Sequence, residues 1–210
     1  MRVPALAGVR AAPLPTLTLA VAAAALAAYW LPALGDAWIY DRGAIVAGQW
    51  WRLASGNLVH LSGRHLAADV LAWVLIGGVL EVRWRTQGRA GAVLSLYVGA
   101  SLAVGCVVLL GRPDLSRFGG LSGMVEAALV ALLLDGWRHD RAGSRLWALG
   151  LALLAGKLAL EWASGTTVLT LSGTAGFVAV PQAHVAGAVL ALVQALVPRG
   201  CVWPILRHSW

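Results

Sequence analysis

Ser122 stands in Gly120-Leu121-Ser122-Gly123, and His184 stands in Ala183-His184-Val185-Ala186-Gly187. A serine hydroxyl is a weak nucleophile until a base takes its proton, and an imidazole within about 2.6 to 3.2 Å can be that base. Such a pair performs acyl transfer, in which the hydroxyl attacks a carbonyl and water later hydrolyses the acyl intermediate. The developing oxyanion needs preorganised donors, each commonly worth about 3 kcal/mol on removal. The Leu121 and Ser122 backbone N–H groups at a helix start are candidates, as is His65, one helical turn before Asp69 on the same face. Gly120 and Gly123 permit tight backbone approach, and Gly187 with Ala191 forms a small-residue face for a neighbouring helix. Glu126 lies one turn inside from Ser122. Taken singly, Gly-Leu-Ser-Gly also reads as a helix start capped by its serine, and His184 as an interfacial histidine.

The elements that must position these residues read as membrane helices. The 210-residue chain is 60% hydrophobic and 12% charged, so its solvent is mostly lipid. Several runs approach the ~20 apolar residues that cross a hydrocarbon core, and the chain is therefore polytopic and a single domain. The sequence predicts crossings at 16–34, 66–80, 90–110, 122–134, 146–162 and 182–197, with a tail over 1–15 and another over 198–210. Residues 35–64, with Trp38, Trp50, Trp51, Arg42 and Arg52, suit a segment lying flat in the headgroup region. The first run exceeds a usual signal-peptide core and is read as retained. The net charge of +7 sits in short arginine clusters between apolar runs, which fits topology and not a nucleic-acid face.

With six crossings, Arg2, Arg10, Arg83, Arg85, Arg89, Arg138, Arg141, Arg145, Arg199 and Arg207 share one side, and Arg42, Arg52, Arg64, Arg112 and Arg117 the other. The richer side is cytoplasmic and holds both termini. The second, fourth and sixth crossings then all enter from the outer face, and their first residues include His65, Ser122 and His184. Had one entered from the cytoplasm, a bilayer core of ~30 Å would separate it from its partners. Within the fifth crossing Lys157 and Glu161 read as a structural ion pair. Most tryptophans near crossing ends, Trp84 among them, read as interfacial anchors. Arg52 and Glu81 read as structural, and His60 as ordering the first loop. Cys106 and Cys201 are too separated in depth to pair, and no metal or cofactor site is expected.

Trp51-Arg52, His60, His65-x-x-x-Asp69, Gly77-Gly78-x-x-Glu81, Gly120-x-Ser122-Gly123 and Ala183-His184-x-x-Gly187 together resemble the rhomboid family of intramembrane serine proteases over about residues 48–197. The compact size, the short first loop and Trp50-Trp51-Arg52 look most like its bacterial rhombosortase branch. The resemblance implies an all-α, six-transmembrane-helix bundle in a bacterial inner membrane, with Ser122 and His184 as a catalytic dyad lacking an acidic third member. It further implies oxyanion donors from a His-x-x-x-Asn element, which His65 matches and Asp69 departs from. Asp69 is then either a neutral donor or a group that orients His65. Substrates would be transmembrane helices of exported proteins, near a C-terminal Gly-Gly-type sorting signal. The alternatives are a non-catalytic rhomboid-like module that binds client helices and, from the intramembrane charges, a small-solute transporter, against which the chain shows no internal repeat.

Overall fold

The computed structural model describes residues 11–167 and 180–197. Most of both predicted tails, most of the 163–181 connection, Cys201 and His208 lie outside them. The chain is helical almost throughout: α1 (Thr16–Trp30), α2 (Pro32–Trp38), α3 (Arg42–Val46), α4 (Arg52–Ser55), α5 (Gly63–Thr86), α6 (Ala90–Gly111), α7 (Ser122–His139), α8 (Ser144–Ser164) and α9 (Pro181–Leu196). Two short strands, β1 (Tyr40–Asp41) and β2 (Arg117–Phe118), pair antiparallel.

By length and composition α5, α6 and α8 can each cross a bilayer, and α1 with α2 makes a fourth span broken by a 112° bend. The bend falls at Leu31-Pro32 because proline disfavours a helical residue before it and offers no N–H to the preceding turn. The first crossing therefore ends at Trp30, four residues earlier than expected. α9, with 16 residues, rises about 24 Å, and α7 carries Glu126, Asp135 and Arg138. These two helices are the most enclosed by others, and they hold Ser122 and His184.

α5 runs well past the expected Leu80, through Glu81 and Arg85. Glu81 is fully buried and acts as an N-terminal cap on another helix: Oε1 accepts from Leu17 N (3.0 Å), and Oε2 accepts from Thr18 N (2.7 Å) and Thr18 Oγ1 (2.8 Å). The carboxylate thus meets orphan N–H groups at the positive end of α1. Trp73 Nε1 donates to Thr18 O (2.9 Å), and Tyr97 hydroxyl donates to Gly77 O (3.0 Å), so the same polar knot ties α1, α5 and α6. Glu81→Gln keeps one acceptor and turns an N–H₂ toward a buried donor. The expected cost is about 2 kcal/mol of stability, read as an earlier midpoint in detergent denaturation; an unchanged midpoint would reject the capping role.

Residues 35–64 are largely regular. They fold into α2, β1, α3, α4 and a 3-10 turn (Gly56–Leu58). Arg52 holds this segment together, with Nη1 donating to Asp36 O (2.8 Å) and Ile39 O (2.7 Å) and Nε to Gln49 (2.7 Å). β1 pairs Tyr40 with Phe118 and Asp41 with Arg117, and Arg42 N donates to Ser116 O (2.9 Å). The first loop is thereby the shelf on which the α6–α7 connection rests. Trp84 is buried with Arg89 over its ring at 4.1 Å, so this tryptophan is core and not an interfacial anchor.

Candidate active site

The connection reaches α7 through Gly120, whose φ of +136° is a conformation that L side chains rarely adopt. A Cβ there would stand 2.7 Å from His65 Cε1 and 3.4 Å from Asp69 Oδ2. The glycine therefore both makes the turn and leaves room for the two side chains of α5. Leu121 is the N-cap residue of α7 and no side chain caps the helix. Ser122 is the first helical residue, so its hydroxyl is not spent on capping, contrary to the bland reading of Gly-Leu-Ser-Gly.

α9 starts with Pro181 in its first turn, where a missing N–H costs nothing, and carries His184 one turn further, buried. α7 and α9 then meet backbone to backbone. A Cβ on Gly187 would lie 1.8 Å from Gly123 O, and a Cβ on Gly123 would lie 2.8 Å from Ala183 O. Ser122 adjoins Gly123 and His184 adjoins Ala183, so both residues lie next to this close approach of their helices. Among the described residues no hydrogen bond joins Ser122 to His184. His184 Nδ1 instead lies 2.7 Å from Glu161 Oε2 on α8.

Glu161 was expected to serve only an ion pair with Lys157. That pair exists, with Lys157 Nζ 3.1 Å from Glu161 Oε1, but Lys157 also pairs with Glu126 Oε1 one turn below Ser122. The result is a chain, Glu126 to Lys157 to Glu161 to His184, in which the two carboxylates and the imidazole are buried and the lysine is part-buried.

On the opposite side of Ser122, His60 Nε2 lies 3.1 Å and His65 Nε2 3.2 Å from the same atom, Asp69 Oδ2. His60 was expected merely to order the first loop; it also reaches Leu121, whose backbone N lies 3.4 Å from His60 Nε2. Leu121 N faces His60, whereas Ser122 N–H belongs to the first turn, where helical amides lack intrahelical partners. Asp69 Oδ2 is thus shared by two imidazoles, a geometry in which Asp69 can orient His65.

Two sets have ligand atoms close enough together, within 4.8 Å, to hold a metal ion: His60, His65 and Asp69, and Glu126, Glu161 and His184. In the second, Lys157 already supplies a cation to both carboxylates. In the first, the carboxylate already lies against both rings.

Residues 47–199 match the rhomboid domain. The chain belongs to the rhomboid family. That family consists generally of intramembrane serine proteases and includes inactive members, and its match together with the apolar helices makes this rhomboid a multi-pass membrane protein. A search of curated proteins finds no match. The matched span contains His60, His65, Asp69, Ser122, Glu161 and His184, so both side-chain clusters lie inside the rhomboid domain.

Proposed function

We propose that this rhomboid is an intramembrane serine endopeptidase with Ser122 as nucleophile and His184 as general base. The carrying observation is the backbone contact of Gly187 with Gly123, one residue from Ser122 and three from His184, together with an imidazole whose Nδ1 is already engaged. In this reading six helices cross the bilayer: α1 with α2, α5, α6, α7, α8 and α9. Both termini are cytoplasmic in a bacterial inner membrane, as the arginine distribution favours. The protease unit is residues 16–197, between tails at 1–15 and 198–210.

Ser122 Oγ adds to a substrate carbonyl as its proton passes to His184 Nε2. Ser122 N–H faces the oxyanion, and His65 lines the same pocket from across Gly120. When the intermediate collapses, the C–N bond breaks and His184 returns the proton to the leaving amine. Water, deprotonated by His184, then cleaves the ester. A helical substrate shields its carbonyls by hydrogen bonding, so scissile sites carry small or helix-breaking residues. The Trp50-Trp51-Arg52 segment supports the rhombosortase branch, and with it exported substrates bearing a Gly-Gly-type motif ahead of an apolar helix.

Labelling in detergent with a fluorophosphonate tests the assignment. The natural chain is expected to be labelled, Ser122→Ala not at all, and His184→Ala at least a hundredfold more slowly. Label that survives Ser122→Ala refutes the nucleophile. A second reading, a non-catalytic module that holds client helices, is favoured by the lack of a Ser122–His184 hydrogen bond and by Asp69 standing where the family pattern has asparagine. It expects no labelling of the natural chain.

A further inference from the structure

We propose that Glu161 is a third member of this active site, a positioning residue that fixes the tautomer and orientation of His184 and balances the charge His184 acquires. The proposal rests on Ser122 and His184 being the nucleophile and base. A carboxylate only accepts hydrogen bonds, so at 2.7 Å the proton between Glu161 Oε2 and His184 must sit on Nδ1. Nε2 is then left with its lone pair, which is the atom and the state that a base for Ser122 requires. Lys157 Nζ, 3.1 Å from Oε1, anchors the other oxygen of Glu161.

Charge counting points the same way. Glu126, Lys157 and Glu161 form a set of two buried carboxylates and one part-buried ammonium, so with these groups charged its sum is one negative charge while His184 is neutral. The sum becomes zero when His184 takes the serine proton. The network is thus complementary to the imidazolium that exists during acyl transfer and not to the resting imidazole, which is the differential that accelerates a reaction. No proton moves to Glu161: the Ser122 proton goes to Nε2 and from there to the leaving amine, while Nδ1–H stays on the ring.

The placement of Glu161 has no packing explanation. α8 is apolar along its length, and the residues it buries are Leu154 and Glu161. A helix with that composition has apolar side chains to spare for a buried position, yet one of the two is a fully buried carboxylate. A structural pair with Lys157 alone would be satisfied at the helix surface, without Oε2 reaching α9.

The test compares Glu161→Gln and Glu161→Asp with the natural chain and Ser122→Ala, all full-length in detergent, by measuring the maximal rate and half-saturation of fluorophosphonate labelling. In Glu161→Gln the amide can present its N–H₂ to Nδ1 and stabilise the wrong tautomer, as asparagine does for serine-protease aspartates. The expected result is a maximal labelling rate about 100-fold lower at unchanged half-saturation, with Glu161→Asp recovering at least tenfold of it. Glu161→Gln labelling at the natural rate, or Glu161→Asp no better than Glu161→Gln, overturns the proposal. An unlabelled natural chain instead overturns the underlying assignment of Ser122. Where Glu161→Gln does not fold, nitrogen NMR of histidine-labelled natural chain, with His184→Ala for assignment, decides: a proton on Nδ1 is expected, and His184 protonated on Nε2 alone refutes the proposal.

Discussion

Gly187→Ala is expected to abolish labelling of Ser122 although alanine is the better helix former. Gly187 sits in mid-helix, where alanine gains about 1 kcal/mol of intrinsic propensity over glycine. Against that gain stands a Cβ placed 1.8 Å from Gly123 O, with Ala127 N at 3.3 Å, all backbone atoms that cannot rotate away. α7 and α9 must separate by more than 1 Å at the level of Ser122 and His184. Overpacking of this kind costs about 1 to 3 kcal/mol or more, and a 1 Å misplacement at a reacting centre can cost about 100-fold in rate. Helicity should be retained while activity is lost, which circular dichroism and fluorophosphonate labelling together would register. Natural labelling in Gly187→Ala would show that the close approach is not what sets the serine beside the histidine. Gly187→Ser should behave alike, since the obstacle is any Cβ.

Much of this was legible because the residues in question announce their helix starts. Ser122 and His184 each open an apolar run after glycine or proline, and the glycines that allow contact lie one and three residues further on. Pro32 likewise declares the break between α1 and α2. The expected ends of the helices fell short where polar residues entered. Glu81, Arg83 and Arg85 end the apolar stretch of α5 and not its helix, because Glu81 caps α1 and Arg83 Nε meets Asp135 (2.5 Å) on α7. α7 likewise continues to His139, since Gly136 is not a stop but the seat of Trp147 from α8, against whose ring a Cβ would stand at 2.4 Å.

The partners of the site were harder to read. Lys157 and Glu161 are visible as a pair four residues apart, but α8 is so evenly apolar that its periodicity names no inward face. Nothing local therefore says that Glu161 points to α9. His60 lies in a segment without helical or strand period, and its role depends on the β1–β2 pairing that brings residues 117–121 against it. That pairing joins stretches some 75 residues apart and only two residues long, too short to leave a pattern.

Replacing Asp69 separates geometry from charge on the other side of Ser122. Both imidazoles approach one oxygen, Oδ2, at 3.1 and 3.2 Å. In Asp69→Asn a single amide oxygen can accept from both rings through its two lone pairs, and what disappears is the charge assistance, which makes such bonds roughly twice as strong as neutral ones. A loss of about 1 kcal/mol in stability and a severalfold change in labelling rate are expected. In Asp69→Leu both rings lose their acceptor at once. His60 is already buried with Nδ1 unpartnered among the described residues, and Nε2 would lose its 3.1 Å partner and keep only the longer contact to Leu121 N. At about 1 to 3 kcal/mol for each stranded group, the expected loss approaches 4 kcal/mol. The damage should also reach catalysis, because His60 lies against Leu121 N and His65 packs against Gly120, the two residues that precede Ser122. Labelling at least 100-fold slower in Asp69→Leu, with Asp69→Asn close to the natural chain, is the predicted order. An Asp69→Asn variant as impaired as Asp69→Leu would mean that the negative charge itself is required there, and that the cluster does more than orient the approach to the serine.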